Sequence, residues 1–498
     1  MNYGQFLQMM PEVILVVMLI CVFFCDMLTR SNERRALMGP AVIGPLVYLI
    51  GHILIISPRY YDNVSAFGGM YVSNSSVSAI KAILTFGALV VLIMAYPWLD
   101  NKATKGRAIN GKYAGEFIML VLSTLLGMFM MVSSGNFLMF FLGLEMASVP
   151  MSCLVAFDKW KKISAESAAK YIITAIFSSG VMLYGISFVY GSAGTLYFDD
   201  VAQRFAFFAQ YKSQVPMLIM GMVFFFSGLA FKLSLVPFHF WTADTYEGAP
   251  TPVTGYLSVC SKGAAAFALM TILMKVFGSL MEYWEYMLYV VIVLSITIAN
   301  LFAIRQKELK RFMAFSSISQ AGYIMLAVVG ASQSGMASLM YYILVYVVAN
   351  MAVFTVISAV ENSLNAPDNR ATQMSTYNGL YQTNPKLAFL MTLALFSLAG
   401  IPPFAGMFSK FFVFMAAAEQ GSFWAYFVVF IALINTVVSL YYYLLIVKAM
   451  YIKSSDSPLP TFRTDGMTRL ALTICTAGIV LFGVCSCIYE WLFANSVM

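Results

Sequence analysis

The sequence predicts an all-α integral membrane protein with about fourteen transmembrane helices. Of its 498 residues, 61% are hydrophobic and only 10% are charged, whereas a soluble domain carries roughly a quarter charged residues. The apolar residues gather in runs of about twenty, the length with which a helix crosses a bilayer. Two of these runs are interrupted by proline beside a lysine. Lipid is therefore expected to be the solvent for most of the chain.

Fourteen apolar runs define the predicted spans. They lie at roughly 10–28, 37–57, 74–99, 114–133, 135–157, 164–190, 216–240, 252–278, 281–304, 311–331, 335–361, 384–418, 424–451 and 468–494. The first run contains Glu12 and follows no basic segment, so it is expected to remain as a helix and not to be a cleaved signal peptide. The run 384–418 is too long for one straight span.

Lysine and arginine are concentrated in every second loop. The odd-numbered loops contain Arg30, Arg34, Arg35, Lys102, Lys105, Arg107, Lys112, Lys159, Lys161, Lys162, Arg305, Lys307, Lys310, Arg311, Arg370, Lys386, Lys453, Arg463 and Arg469. The even-numbered loops contain only Arg59, Arg204, Lys212 and Lys275. This bias predicts that the odd loops face the cytoplasm and that both termini face outward. Because the bases lie in short loops, the net charge of +7 does not indicate a nucleic-acid partner.

The seven cysteines all lie in apolar runs and form no paired CxxC pattern. They are expected to pack as small apolar residues. The sequence therefore predicts no zinc, haem or iron–sulfur site in this chain.

Several ionisable residues remain inside the spans, where a charge at the bilayer centre costs at least ~2.5–3.5 kcal/mol. Full burial lowers the pKa of a lysine enough for proton exchange near neutral pH. Those deepest in their spans are Glu145, Lys232, Lys262 and Lys410, for which proton transfer and a purely structural ion pair are the two interpretations. Those close enough to a span end to reach the interface are Lys81, Lys170, Lys448 and Asp26.

Two spans carry helix breaks beside a lysine. Span 7 has Pro237 after Lys232, and span 12 has Pro402 and Pro403 before Lys410. Proline removes a backbone donor, and at membrane depth such a break persists only inside protein or along a wet cavity. His239 follows the first break and is a candidate proton relay or a satisfied polar residue near the interface. His52, in span 2, is expected to be a packing residue.

The two broken spans are five spans apart, and five is odd. Spans 4–8 and 9–13 would therefore have opposite orientations, which predicts two inverted five-helix repeats, each with a broken helix at an ion path. The predicted divisions are 1–113 for helices 1–3, 114–279 for the first repeat, 280–451 for the second, and 452–498 for a loop and helix 14.

Long motifs surround the buried ionisable residues. They are GLAFKLSLVPFHFWTADTYEGAPTPVTGYLSVCSK at 228–262, FLGLEMASVP at 141–150, SAAKYIITAIFSSG at 167–180, KRFMAFSSISQAGY at 310–323 and SLAGIPPFAGMFSKFF at 397–412. Over spans 3–13 the chain resembles the antiporter-like membrane subunits of respiratory NADH:quinone oxidoreductase, or complex I. These motifs are very specific to that superfamily.

Within the superfamily the chain is most similar to the N-type subunit. AYPWLD at 95–100 and YYYLL at 441–445 resemble that type, and Lys410 stands where the M-type subunit typically has glutamate. After span 14 we expect no long lateral helix of the kind that the L-type subunit has. Gln320 stands where several relatives have histidine. Because glutamine cannot change charge, a relay there would have to run through water.

The resemblance implies a role for each residue in the path. Glu145 would pair electrostatically with Lys232 and raise its proton affinity, Lys262 would be the central relay, and Lys410 the terminal donor toward the outer side. The residues that would support this path are His239, Lys170 and Lys448.

The resemblance also implies what lies in other chains. NADH, FMN, iron–sulfur clusters and quinone would be bound by partner subunits, with the chain itself holding no cofactor. Its partners would be the other antiporter-like and quinone-module subunits of the membrane arm, and its location a bacterial inner membrane. Three alternatives stay open: the D-type subunit of a multisubunit Na⁺/H⁺ antiporter, the membrane arm of a related hydrogenase, and a scaffold that has lost activity.

Overall fold

The structure is a computed structural model that describes residues 4–29, 42–56, 63–99, 113–159, 161–210, 215–364, 369–454 and 458–496. The predicted basic loops after spans 1 and 3 lie outside these residues, as does Lys212, and so does the side chain of Arg370. The predicted orientation of the termini is not decided by the fold and stays a prediction.

Helices make up nearly all of the described chain. Their bounds are α1 Gly4–Gln8, α2 Met10–Leu28, α3 Gly44–Gly51, α4 Ser75–Leu99, α5 Ala114–Val132, α6 Phe137–Val155, α7 Lys162–Ala193, α8 Phe198–Gln210, α9 Val215–Leu233, α10 Phe240–Gly248, α11 Thr251–Tyr256, α12 Lys262–Lys275, α13 Met281–Ile304, α14 Leu309–Val329, α15 Gln333–Leu364, α16 Leu380–Thr383, α17 Pro385–Ala399, α18 Ala405–Ala418, α19 Phe423–Tyr451, α20 Gly466–Val484 and α21 Cys487–Ala494. One π-helical turn, His52–Ile56, extends α3, and another, Leu257–Ser261, joins α11 to α12.

The helices confirm the predicted all-α membrane class. Twelve helical segments among the described residues are long and apolar enough to cross a membrane, and shorter apolar helices cover Gly44–Ile56, Pro385–Ala399 and Ala405–Ala418. Thirteen of the fourteen predicted spans each coincide with one of these segments, and span 12 coincides with two, α17 and α18, because the helix is broken between them. The division into two inverted five-helix repeats stays a prediction.

The helices form a buried centre and a perimeter. Helix α14 is buried along its whole length, and α4, the segment α11–α12 and α15 are buried almost as completely. Helices α2, α7, α19 and α20 turn most of their surface outward. A helix that is apolar all round must be covered by other helices or by lipid. The segment α11–α12, which carries Lys262, therefore belongs to the buried centre.

Glycines allow α5 and α6 to approach closely. A Cβ on Gly127 of α5 would lie 2.4 Å from the backbone nitrogen of Ala147, and one on Gly143 of α6 would lie 2.5 Å from that of Met131. Small residues at a helix crossing let backbones pack where side chains would hold them apart. This packing fixes α6, the helix that carries Glu145.

A small antiparallel hairpin interrupts the helical chain between α3 and α4. Its strands are β1 Val64–Ala66 and β2 Tyr71–Ser73, and Tyr71 also pairs with Ser134 beyond α5. The predicted spans leave residues 58–73 as a loop between spans 2 and 3. In the predicted topology this hairpin lies on the outer side.

Candidate functional site

Both predicted helix breaks are present, and each leaves backbone N–H or carbonyl groups inside the protein without their usual helical partners. Helix α9 ends at Leu233, and Ser234 takes a left-handed φ of 61°. Within the break, the Val236 backbone N–H donates to Ser295 Oγ at 3.0 Å, and Trp241 Nε1 donates to the Phe231 carbonyl at 3.1 Å. Side chains of the surrounding protein therefore satisfy the interrupted backbone.

The second break has a direct chemical consequence. In an unbroken helix, the carbonyls of Leu398 and Ala399 would accept hydrogen bonds from residues 402 and 403, but both are proline and have no N–H. Lys410 Nζ donates to the Ala399 carbonyl at 2.9 Å. Gln320 Nε2 donates to the Leu398 carbonyl at 3.3 Å. The two prolines thus create the acceptors that hold Lys410 and Gln320.

Lys232 is buried in the last turn of α9, at the first break. Its ammonium donates to Ser148 Oγ of α6 at 2.7 Å and to the Tyr171 hydroxyl of α7 at 3.1 Å. Both acceptors are neutral groups. Neither Ser148 nor Tyr171 is among the residues predicted from the sequence for the proton path.

Glu145 lies on α6, three residues before Ser148, and is half-buried. Residues three apart share a helix face, so Glu145 lies on the side of α6 that carries the Lys232 acceptor. Among the described residues, however, no ion pair joins Glu145 to Lys232. Their predicted electrostatic pairing stays a prediction.

Lys262 follows directly after the π-helical turn Leu257–Ser261 and is 1% exposed. Its amine donates a short hydrogen bond to Ser317 Oγ of α14. The Tyr246 hydroxyl of α10 is hydrogen-bonded to the same Ser317 Oγ at 3.0 Å. Single π turns inside α-helices occur frequently at functional sites, and this one places Lys262 against the Ser317 hydroxyl, which the Tyr246 hydroxyl also contacts.

A line of hydroxyl and amide groups continues from α14 toward Lys410. Ser316 Oγ and the Tyr443 hydroxyl are 2.5 Å apart, and Gln320 Nε2 donates to the same hydroxyl at 3.2 Å. The Tyr342 hydroxyl donates a short hydrogen bond to Gln320 Oε1. Gln320 therefore occupies the predicted relay position, between Tyr443 and the Lys410 site.

A small cavity lies between this line and Lys410. It is lined by Gln320, Tyr342, Val345, Tyr346, Ala349, Ser397, Leu398, Gly406, Ser409 and Lys410. Its volume of about 10 Å³ suits roughly one water molecule. The Tyr346 hydroxyl is buried and has no hydrogen-bond partner among the described residues. A buried hydroxyl of this kind ordinarily binds water, so the cavity could join Gln320 to Lys410.

The three predicted supporting residues occupy different environments. His239 is buried at the N-terminal end of α10, and its Nδ1 has no partner among the described residues. Lys170 is partly exposed on α7 and forms ion pairs with Glu166 and Asp244. Lys448 is exposed on α19. Only His239 lies within the buried region around the lysines.

The amine of Lys81 is enclosed by protein and does not extend to the surface, so the expectation that it snorkels to the membrane interface is wrong. It is buried in α4, and its amine lies 2.6 Å from Glu12 Oε1 and 3.1 Å from the Tyr71 hydroxyl. Tyr71 in turn donates to Glu12 Oε2 at 3.2 Å. This ion pair could not be predicted, because Glu12 and Lys81 are far apart in the chain and meet through the packing of the hairpin and of α2. Asp26, near the end of α2, is half-buried and packs against Gly115 in the first turn of α5.

These features define a class of protein: a polytopic membrane protein with two broken helices and a buried row of lysines, as expected of an antiporter-like ion translocator. The family model described as NADH:quinone oxidoreductase/Mrp antiporter, TM, matches residues 134–439. The chain belongs to this family. The matched range contains Glu145, Lys232, Lys262, Lys410 and both breaks.

Individual relatives distinguish branches of the family. The chain is 54% identical, over the full length of both proteins, to NADH-quinone oxidoreductase subunit N of Phocaeicola vulgatus. It resembles a chain of respiratory complex I from Thermus thermophilus at 27% identity and a TM-score of 0.76, covering 95% of this chain and 97% of that one. It also resembles a chain of the Mrp complex from Dietzia at a TM-score of 0.82, covering 98% and 97%, but at 18% identity. The fold is therefore common to both branches, whereas high identity is found with the subunit N relative.

Proposed function

We propose that this chain is the N-type proton-translocating subunit in the membrane arm of a bacterial NADH:quinone oxidoreductase. The observation that carries the proposal is the row of three buried amines, Lys232, Lys262 and Lys410, whose polar partners are hydroxyls and a carbonyl. An amine buried without a counter-charge holds its proton weakly and can pass it on. Full-length identity to a subunit N relative supports the choice of branch.

In the proposed mechanism, Lys232 and Lys262 exchange a proton across α10. One tyrosine hydroxyl lies near each end of this transfer. The Tyr171 hydroxyl contacts Lys232, and the Tyr246 hydroxyl contacts Ser317, the partner of Lys262. His239 lies at the start of α10 and supplies a titratable group beside the first break. Protonated Lys232 is favoured when Glu145 approaches and disfavoured when it withdraws.

From Lys262 the proposed path continues to Lys410 and then to the outer side. Ser316, Tyr443 and Gln320 provide the hydrogen-bonded segment, and water in the cavity beside Tyr346 completes the connection. Lys410 is the terminal donor. In the proposed division, residues 114–279 carry the first two lysines and residues 280–451 carry the third.

The remaining functions belong to partner chains. We propose that other antiporter-like and quinone-module subunits bind beside this chain, and that NADH, FMN, iron–sulfur clusters and quinone are held by partner subunits. Lys170 and Lys448 would support proton movement near the membrane surfaces. Both termini would face the outer side of the inner membrane, as the distribution of basic residues predicts.

The test is Lys232→Ala and, separately, Glu145→Gln in the native operon, with Lys386→Ala on the exposed start of α17 as the control. NADH:quinone activity and proton pumping are measured in membrane vesicles, together with the amount of assembled complex. We expect both activities to fall while assembly is retained, and the control to match the wild type. Unchanged NADH:quinone activity with loss of Na⁺/H⁺ exchange alone would identify the antiporter branch instead.

A further inference from the structure

A carboxylate outside the lysine row connects two of its sites. Asp244 lies on α10, the short helix between the first break and α11. Its Oδ2 lies 2.9 Å from Lys170 Nζ of α7, and its Oδ1 lies 2.9 Å from Arg311 Nη1 of α14. One side chain thus joins three helices, with each oxygen committed to a different cation.

Lys170 and Asp244 itself are close in the chain to the partners of the buried lysines. Lys170 precedes Tyr171, the α7 residue that contacts Lys232. Asp244 itself lies two residues before Tyr246, whose hydroxyl contacts the Ser317 partner of Lys262. A shift of α10 relative to α7 would therefore change the distance between the hydroxyls of the first and second lysine sites.

Other contacts press α10 against the same two helices. Ser167 Oγ of α7 donates to the Asp244 carbonyl at 2.8 Å. A Cβ on Gly248 would lie 2.1 Å from that same Ser167 Oγ, so α10 and α7 are in close contact. On the other side, Arg311 also pairs with Glu247 at 2.6 Å, and Lys310 donates to the Ala249 carbonyl at 2.9 Å.

We infer that Asp244, shared between Lys170 and Arg311, is a positioning residue that sets the spacing between the Lys232 and Lys262 sites for proton transfer. This inference rests on the proposed function. Burial would raise the pKa of Asp244, but hydrogen bonds from Lys170 and Arg311 outweigh burial and hold it below its usual value. The carboxylate therefore keeps the charge that both contacts require.

We expect that loss of the Asp244 charge would make proton transfer between Lys232 and Lys262 the rate-limiting step. With Asp244 in place, the two hydroxyl sites stay at a fixed spacing, and proton transfer depends steeply on such distances. If Asp244 loses its charge, the two ion pairs that connect α10 to α7 and to α14 through this side chain are lost. Transfer between Lys232 and Lys262 then slows relative to the electron-transfer steps in the partner subunits.

The test compares Asp244→Asn with Glu166→Gln, which removes the other carboxylate partner of Lys170 and leaves the bridge to Arg311 intact. Asp244→Glu serves as the conservative rescue. In vesicles containing the whole complex, NADH:quinone rate, proton pumping and assembled amount are measured in H₂O and in D₂O. We expect Asp244→Asn to assemble, to lose coupled rate about tenfold or more, and to show a solvent isotope effect about twofold larger than wild type.

Glu166→Gln should match the wild type, and Asp244→Glu should recover most of the rate. The inference is overturned if Asp244→Asn loses rate with an unchanged isotope effect, or if it behaves like Glu166→Gln. If Asp244→Asn fails to assemble, Arg311→Gln, which removes one of the two cations of the bridge, takes its place under the same criteria. A Lys232→Ala complex that still pumps would instead overturn the proposed function, so the two failures are distinguishable.

Discussion

Lys81 and Lys262 are equally buried, at 1% exposure each, yet their surroundings are opposite. The amine of Lys81 lies against a carboxylate, Glu12, and the Tyr71 hydroxyl. The amine of Lys262 has only the Ser317 hydroxyl as a hydrogen-bond partner among the described residues. Burial alone therefore does not separate a lysine that holds the fold together from one that could move a proton.

The difference lies in the counter-charge. A buried pair of opposite charges keeps both members ionised, and breaking it leaves an uncompensated charge in a low dielectric. A buried amine among neutral groups has no such requirement and can exist with or without its proton. The amines of Lys232 and Lys410 also donate to neutral groups, namely two hydroxyls for Lys232 and one carbonyl for Lys410. We therefore propose that Lys81 has a structural role and that proton transfer uses the other three lysines.

The largest effect is expected from breaking the ion pair. Lys81→Met leaves Glu12 buried without a cation, which should cost about 3–5 kcal/mol of stability. The amount of assembled complex and its thermal unfolding temperature would report this loss. The double variant Glu12→Gln/Lys81→Met removes both charges and should recover most of it. Equal destabilisation by the single and double variants would mean that the charges do not form a structural pair.

A smaller effect is expected from removing the partner of Lys262. Ser317→Ala takes away its hydroxyl, and loss of one hydrogen bond to a charged group corresponds to about tenfold in rate. Coupled NADH:quinone activity should fall by about that factor with normal assembly. Ser319→Ala, a buried serine on the same helix that does not contact Lys262, is the matched control. Equal losses of activity in Ser317→Ala and Ser319→Ala would contradict a specific role of Ser317 in proton transfer.

The smallest effect is expected at Gln320. Histidine at this position would supply a titratable group between Tyr443 and the Lys410 cavity, so Gln320→His should leave proton pumping within about twofold of wild type. Gln320→Leu removes all three side-chain hydrogen bonds of Gln320 and should lower pumping more. The ratio of protons pumped to NADH oxidised checks the result. A leucine variant that pumps normally would place the path elsewhere.

Much of the fold could be predicted from the sequence because lipid leaves few choices. Apolar length fixed the spans, and Pro237, Pro402 and Pro403 fixed the two breaks, since proline lacks the backbone donor wherever it stands. The same reasoning identified Lys232, Lys262 and Lys410 as buried. In each case one local property of the sequence decided the structure.

The partners of the lysines could not be predicted in the same way. Ser148, Tyr171 and Ser317 meet lysines only through the packing of separate helices, and serine and tyrosine are unremarkable in an apolar span. Lys81 shows the same difficulty, because its partner Glu12 is 69 positions away in the chain. A lysine near a span end has no sequence feature that tells snorkelling from a buried ion pair. Contacts of this kind depend on tertiary structure.

The most direct measurement of the central claim compares proton pumping by Lys262→Met with pumping by Glu12→Gln/Lys81→Met in vesicles that contain equal amounts of assembled complex. Each variant removes one equally buried amine, and the second also removes its counter-charge. We predict that Lys262→Met abolishes proton pumping and that the double variant Glu12→Gln/Lys81→Met retains it. Normal pumping by Lys262→Met, or loss of pumping in the double variant alone, would contradict the assignment of proton transfer to lysines with neutral partners.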